Sequence, residues 1–305
     1  MNVTVLGSSG QIGAYLTEYL RDKGHNVTEF DIANSKDQDL TQIPNDGLDR
    51  AIANSDFVFF LAFDVGGSRY LAKYQHTFKF IDNNTRMMAN AFDCIERYNK
   101  RFVFASSQMS NMSYSPYGVM KRVGELYTKA LKGLIVKFWN VYGIEKDMDK
   151  AHVITDFIIK GFDSQHPDPD EFPDDYQRVE MLTDGTEERQ FLYAEDCCEA
   201  LETVMENYTD VASIIQGCFQ KIGYPVTFVP GLAKDGVQLD KRNEADTYIT
   251  SWWLPKTTLD KGIQKVFDSM KDELIEDLQT HCDYDRSDPK ENVLHGSHFK
   301  TTGNE

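Results

Sequence analysis

The stretch NVTVLGSSGQIGAYLTEYLRDKGHNVTEFD, residues 2–31, determines the predicted fold. Its apolar start predicts a β-strand over residues 3–6, and apolar residues at helical spacing after Gly13 predict a helix that ends at Gly24. A second predicted strand follows and ends at Asp31. A strand, a helix and a second strand in this order form a βαβ unit, in which the two strands lie parallel in one sheet.

The same alternation continues as far as Gly143. Strands are predicted at DFVFFLA (56–62), RFVFASS (101–107) and LIVKFWNVYG (134–143), and helices over 78–98 and 116–131. Later segments give a shorter pattern of strands and helices. This order predicts an α/β protein of the Rossmann type, with a doubly wound parallel sheet and a smaller C-terminal region.

Composition and charge exclude several classes of function. The chain has 305 residues, 41% of them hydrophobic, and its 49 acidic and 32 basic residues give a net charge of −17. Such a surface repels phosphate backbones, so we expect no nucleic-acid partner. No apolar run approaches the roughly 20 residues of a membrane span, and the strand at residue 2 leaves no room for a signal peptide. Five cysteines without a CxxC spacing predict reduced thiols, no metal site and a cytoplasmic protein.

The glycine spacing of the first turn indicates nucleotide binding. Gly7, Gly10 and Gly13 stand between a strand and a helix, where glycines let the backbone approach a pyrophosphate at the helix N-terminus. Asp31, at the end of the next strand, is placed to accept hydrogen bonds from an adenosine ribose. Its charge would repel a 2′-phosphate, so the sequence favours NAD over NADP. Three glycines alone would equally fit a turn, but their place in a βαβ unit favours the nucleotide.

A second motif indicates redox chemistry at a hydroxyl group. Tyr117 and Lys121 lie one turn apart on a predicted helix, and Ser107 ends the strand before it. A nearby ammonium, together with an oxidised nicotinamide, would lower the pKa of the phenol. Tyr117 could then remove a hydroxyl proton while hydride leaves the same carbon, and Ser107 would hold the oxygen.

These motifs together resemble the extended short-chain dehydrogenase/reductase superfamily, in its NAD-dependent nucleotide-sugar epimerase/dehydratase branch. The resemblance rests on the segments GSSGQIG, SS at the end of a strand, YGVMK, WNVYG, DGTEERQFLYAEDCCEAL and WWLPKTTLDKGI. It implies an NAD-binding domain over residues 1–143 with its sheet completed by later parts of the chain, and a substrate-binding region over 144–280. Residues 281–305 are predicted to form a flexible polar tail.

The resemblance also implies roles for individual residues. The predicted cofactor contacts are Gly7, Ser9, Gly10, Gln11, Ile12, Gly13, Asp31, Asp39 and Leu40 beside the adenine, Leu61, Ala62, Ala105, Tyr117 and Lys121. Asn84 matches a position that supports the active site. The predicted substrate contacts are Ser107, Asn140, Arg189 and Arg242, the last three at positions that match contacts to the diphosphate. A homodimer through the helices over 78–98 and 116–131 is implied as well.

Two positions depart from the dehydratases of this branch, which carry an acidic pair directly after the serine or threonine. Gln108 and Met109 stand there, and neither can act as an acid or a base. The segment DVGGSRYLAKYQHTFKFIDNNT also resembles GDP-mannose 3,5-epimerases, which carry a cysteine at the position of Met109. A carboxylate from elsewhere would be needed for elimination, and Glu145 is the first candidate.

The sequence therefore predicts an NAD-dependent nucleotide-sugar epimerase that acts at C4 through a transient keto intermediate. Such a reaction needs no acid or base beyond Tyr117. A dehydratase, a decarboxylase and a keto-sugar reductase of the same family stay open as alternatives. A catalytically silent nucleotide-binding regulator is the alternative from a different class of protein.

Overall fold

The computed structural model describes residues 1–145, 147–163, 190–206, 253–259 and 261–270. The predicted polar tail and much of the predicted substrate-binding region lie outside these residues. None of the helices in the described part of the chain has the length and apolar character required to cross a membrane.

Strands and helices alternate from the first residues onward. The strands are β1 (Asn2–Leu6), β2 (Asn26–Phe30), β3 (Phe57–Phe60), β4 (Arg101–Ser107), β5 (Leu134–Phe138), β6 (Asn140–Tyr142) and β7 (Phe191–Tyr193). The α-helices are α1 (Gln11–Asp22), α2 (Asp46–Ala53), α3 (Ser68–Tyr74), α4 (Phe78–Arg97), α5 (Pro116–Ala130), α6 (Val153–Asp163) and α7 (Ala194–Glu206). Residues 261–270 are helical. Short 3₁₀ turns cover Lys36–Gln38, Gln108–Asn111 and Met148–Lys150.

Five parallel strands form the central sheet in the order β2-β1-β3-β4-β5. The chain order reverses direction beside β1, and in such sheets ligands bind outside the carboxyl ends of the strands at this reversal. A separate pair is formed by β6 and β7, also parallel. The predicted α/β fold of the Rossmann type is confirmed.

Both faces of the sheet are covered, because successive side chains of each strand point to opposite faces. Val3 and Val5 join a buried cluster with residues of α1 and α7. Leu6 and Phe60 join a second cluster with residues of α2, α4 and α5. Helices on both faces explain why these strands read as continuous apolar runs.

The structure differs from the predicted elements in three places. Helices α2, α3 and α6 were not predicted. Strand β2 ends at Phe30, because the N–H of Asp31 donates to the side chain of Gln38 instead of continuing the ladder. The predicted strand over 134–143 is divided at Trp139 into β5 and β6, which belong to different sheets.

Candidate active site

Glycine is required at two positions around the turn from β1 into α1, one in the loop and one in the first turn of the helix. Gly7 has φ +88°, in the left-handed region that favours glycine. A Cβ added to Gly13 would lie 2.0 Å from the carbonyl oxygen of Gly7, and one added to Gly7 would lie 2.6 Å from the nitrogen of Ala62. The loop is therefore pressed against both its own helix and the end of β3.

This loop also has the features needed to hold a pyrophosphate. Helix α1 begins after Gly10 without a side-chain cap, whereas Thr77 and Ser115 cap α4 and α5. Its first N–H groups are thus available to an anion. The Nε2 atom of Gln11 is buried and has no hydrogen-bond partner. An uncapped helix start, a close-packed glycine turn and an unpartnered amide together fit a dinucleotide.

Asp31 lies beside this loop, as predicted. Its carboxylate accepts hydrogen bonds from the N–H of Ser9 at 3.0 Å and of Ala33 at 2.9 Å. Asn34 adds contacts to the same loop, through the hydroxyls of Ser8 and Ser9. The end of β2 is thereby fixed against the glycine loop, with Asp31 half-buried at the junction.

Four further predicted cofactor contacts, Leu61, Ala62, Asp39 and Leu40, lie after β3 and after the 3₁₀ turn Lys36–Gln38. The N–H groups of Leu61 and Ala62 both donate to the carbonyl of Leu6, at 2.9 and 2.8 Å. Leu40 is buried, and its carbonyl accepts from Asn90 at 2.7 Å, while the Asp39 carboxylate accepts from Thr41. These contacts place the residues in the structure, and their binding of cofactor stays a prediction.

The predicted catalytic residues are brought together at the carboxyl end of β4. Ser107 ends β4, and its hydroxyl hydrogen-bonds to the phenol of Tyr117 on α5. Gly118 allows this approach, because a Cβ there would lie 2.1 Å from the carbonyl oxygen of Met109. The Nζ of Lys121 donates to the carbonyl of Ala105 at 2.7 Å. Serine, tyrosine and lysine thus form one constellation.

Burial shifts both ionisable groups of this constellation. Burial raises the pKa of Tyr117 to about 12, although the hydrogen bond from Ser107 acts in the opposite direction. Burial also lowers the pKa of Lys121 to about 7. The lowered pKa that the sequence predicted for Tyr117 is therefore not a property of these residues alone, because desolvation of the phenolate outweighs its neighbours.

The sequence did not predict a role for Asp64, a carboxylate close to this constellation. Asp64 follows β3 directly after Phe63, whose ring packs edge-to-face on Tyr117. The Asp64 carboxylate accepts from the hydroxyl of Tyr70 at 2.5 Å and from Asn83 at 3.2 Å. Buried Asn84 bonds to the backbone of Asp64 in both directions. Asn83 and Asn84 thus hold the segment after β3, and the position of Asp64 just beyond a predicted strand was the available signal.

The two positions after Ser107 are not ionisable, as the sequence showed. Gln108 and Met109 begin a 3₁₀ turn, and Met109 packs in the cluster that contains Tyr117. Glu145 is buried and binds both the ring nitrogen and the N–H of His152, at 2.6 and 2.8 Å. Its carboxylate is therefore already engaged.

The predicted substrate contacts are only partly within the described residues. The amide of Asn140 donates to the carbonyl of Gln190 at 3.0 Å, across the pair formed by β6 and β7. Arg189 and Arg242 lie outside the described residues. Their predicted contacts to a diphosphate stay predictions.

Comparison with known proteins identifies the family. The model of the family described as "NAD dependent epimerase/dehydratase family" matches residues 3–215. The chain belongs to this family. NAD is accordingly its cofactor, and the residues of the glycine loop fit it. When bound, NAD supplies a hydride acceptor and a positively charged ring.

Two curated proteins are similar to this chain. A protein of Methanocaldococcus jannaschii, provisionally named UDP-glucose 4-epimerase, is 27% identical over 180 residues, which are 52% of this chain and 53% of the relative. The GDP-L-fucose synthase of Sinorhizobium fredii is 25% identical over 145 residues, 43% of this chain and 44% of that protein. The chain thus spans about half the length of the curated relatives it matches.

The family's fold is seen in solved structures as well. The Bordetella bronchiseptica enzyme WbmF, solved in complex with NAD⁺ and UDP, matches 93% of this chain and 96% of its own. Its TM-score is 0.64 at 18% sequence identity. At this identity the likeness establishes the shared Rossmann-type fold.

Proposed function

We propose that this protein is an NAD-dependent nucleotide-sugar epimerase that inverts the configuration at C4. The observation that carries the proposal is the constellation of Ser107, Tyr117 and Lys121, next to two positions that hold no acid or base. Inversion through a keto intermediate requires proton transfer at one oxygen only. The relative provisionally named as a UDP-glucose 4-epimerase supports the same substrate class.

Three residues would each have a separate role at the C4 oxygen of the sugar. Tyr117, as the phenolate, would take the proton of the C4 hydroxyl and return it after the sugar has turned over in the site. Ser107 would hold the same oxygen in line through its hydroxyl. Lys121, one turn along α5, and the charged ring of the bound cofactor would stabilise the phenolate that burial disfavours.

Recognition of the nucleotide and the assembly of the protein form the second part of the proposal. Asn140, Arg189 and Arg242 would contact the diphosphate, since amide and guanidinium donors suit phosphate oxygens. We also expect a homodimer through α4 and α5. Exposed Phe78, Leu126 and Tyr127 on these helices support that interface. Light scattering on the purified protein tests the assembly.

A panel of nucleotide sugars, analysed by NMR and mass spectrometry, tests the reaction. We expect a C4-inverted product with the mass of the substrate, and no lasting NADH absorbance, because the hydride returns to the sugar. A dehydrated 4-keto-6-deoxy product would instead indicate that a carboxylate such as Asp64 or Glu145 enters the site. Release of carbon dioxide would indicate a decarboxylase, and stoichiometric consumption of reduced cofactor would indicate a reductase.

A further inference from the structure

A buried polar cluster lies directly behind the catalytic constellation. We call Ser106, Ser110, Glu125 and Lys137 the Glu125 cluster. The Glu125 carboxylate accepts from the hydroxyl of Ser106 at 2.6 Å and lies 3.1 Å from the ammonium of Lys137. Lys137 also donates to the hydroxyl of Ser110 at 3.0 Å, and Ser110 hydrogen-bonds to Glu125. The cluster therefore connects four segments: β4, the 3₁₀ turn Gln108–Asn111, α5 and β5.

The carboxylate of the cluster is buried, whereas its ammonium is partly exposed. The side chain of Glu125 is 3% exposed and that of Lys137 is 32% exposed. Burial acts to raise the pKa of Glu125, but the hydrogen bonds from Ser106 and Ser110 and the charge of Lys137 outweigh it and lower the pKa. Glu125 is thus ionised at neutral pH, and removing either charge alone would leave the other without its ionic partner.

Two segments of the cluster, β4 and α5, also carry the constellation. Ser106 immediately precedes Ser107 on β4, and Glu125 lies on α5 two turns beyond Tyr117. The helix is pressed onto β4 near Glu125, because a Cβ on Gly124 would lie 2.2 Å from the ring of Phe104. A contact between Glu125 and Ser106 therefore fixes how far α5 can slide along β4.

We propose that Glu125 and Lys137 are positioning residues that hold the hydroxyl of Ser107 against the phenol of Tyr117. The proposal deepens the function proposed above and rests on the same site. Neither residue needs to touch the substrate. Their effect passes through Ser106 to Ser107, through Ser110 to the turn that follows, and through α5 to Tyr117. If Glu125 and Lys137 only stabilised the fold, their removal would leave the contact between the Ser107 hydroxyl and the Tyr117 phenol unchanged.

The pKa of Tyr117 reports on this contact and can be measured without any sugar substrate. The hydrogen bond from Ser107 lowers the pKa of Tyr117, so losing it should raise this pKa. The Nζ of Lys121 lies 5.8 Å from the centre of the Tyr117 ring, and Lys121 is kept in all variants. The near-ultraviolet absorbance of tyrosinate would be titrated in the NAD-loaded protein. Each variant would be titrated alongside the same variant carrying Tyr117→Phe. The difference between the two titrations gives the signal of Tyr117 alone, because the other tyrosines are present in both.

The key variant is the double substitution Glu125→Met with Lys137→Met, which removes both charges together and keeps the volume. We expect it to raise the pKa of Tyr117 by roughly half a pH unit or more, in the same direction as Ser107→Ala. Glu125→Gln, which keeps the shape of the side chain, should give a smaller rise and serves if the double variant does not fold. Glu202→Gln is the control, because Glu202 is a buried carboxylate between α1 and α7 that accepts from Tyr19.

The outcomes separate the two proposals. A folded double variant with an unchanged Tyr117 titration, while Ser107→Ala shifts it, would overturn the positioning role. If the Tyr117 titration shifts as expected but wild-type protein inverts no nucleotide sugar, the positioning role stands and the proposed reaction fails. Where a substrate is found, the double variant should lose at least about tenfold in kcat with little change in the Kd for NAD.

Discussion

The ammonium of Lys121 lies 3.7 Å from the centre of the Phe63 ring, over the face of the aromatic system. Its hydrogen bond to the carbonyl of Ala105 is the polar contact that accompanies this cation–π interaction. Lys121 is 3% exposed, so its charge is largely excluded from water. Desolvation therefore disfavours the charged form of Lys121 and lowers its pKa to about 7.

This burial makes the stability of the cofactor-free protein depend on pH through Lys121. Between the folded pKa of about 7 and the ordinary lysine value, the unfolded chain binds the proton more tightly, so the folded state gains stability as the pH rises. Lys121→Met removes this effect. We expect the variant to melt roughly 5 °C or more above wild type at pH 7, and the gap to shrink towards pH 10. Calorimetry at matched pH values tests this, and a gap that stays constant or widens would contradict it.

The choice between NAD and NADP is expected to depend on Asp31. Its carboxylate is fixed by the N–H groups of Ser9 and Ala33, and we expect its charge to repel a 2′-phosphate. Wild-type protein should therefore bind NAD(H) well ahead of NADP(H). Asp31→Ala should reduce the ratio of the NADP(H) Kd to the NAD(H) Kd by roughly tenfold. It should also weaken the binding of both cofactors, because it loosens the loop. Isothermal titration measures the ratio, with exposed Asp37→Ala as the control, and a wild-type preference for NADP would refute the assignment.

The glycine loop should tolerate no side chain at Gly13. A Cβ there would lie 2.0 Å from the carbonyl oxygen of Gly7, and this backbone cannot move without disturbing β1. Gly13→Ala should lower the melting temperature and weaken NAD binding by at least about tenfold. Gly161→Ala is the matched control, since a Cβ on Gly161, within α6, meets nothing within 4 Å. Equal effects of the two substitutions would show that crowding at Gly13 is not the cause.

The predictable parts of the molecule were those with a short-range signal. The glycine spacing, the apolar runs of β1, β3 and β4 and the start of α5 at Pro116 each depend on neighbours along the chain, and the structure has them at the expected places. The meeting of Ser107, Tyr117 and Lys121 was also predictable. In a parallel sheet, the helix that follows a strand begins near the carboxyl end of that strand.

The parts that escaped prediction depend on contacts between distant residues. Glu125 reads as an ordinary polar position of a helix until Lys137 and Ser106 surround it. The Asp64–Tyr70 contact requires knowing that α3 turns back onto the end of β3. The burial that raises the pKa of Tyr117 in the cofactor-free protein escaped prediction for the same reason, since the sequence shows the nearby lysine but not the depth of burial.

The decisive test of the catalytic helix is Tyr117→Phe. The ring of Tyr117 packs on Phe63, and phenylalanine keeps that packing while it removes the oxygen that hydrogen-bonds to Ser107. We expect turnover of a verified nucleotide sugar to fall by at least about a thousandfold, because the variant lacks the phenol proposed to take the hydroxyl proton beside Ser107. The Kd for NAD should change little.

Tyr127→Phe is the matched control for this substitution. Tyr127 lies on the same helix, is half exposed and stacks on Phe92, far along α5 from the hydroxyl of Ser107. Its loss should leave turnover within about twofold of wild type. Steady-state rates and cofactor titrations on the two variants suffice. If Tyr117→Phe kept near-normal turnover, the proton would have to pass to another group, and the Asp64–Tyr70 pair beside Phe63 would be the next to substitute.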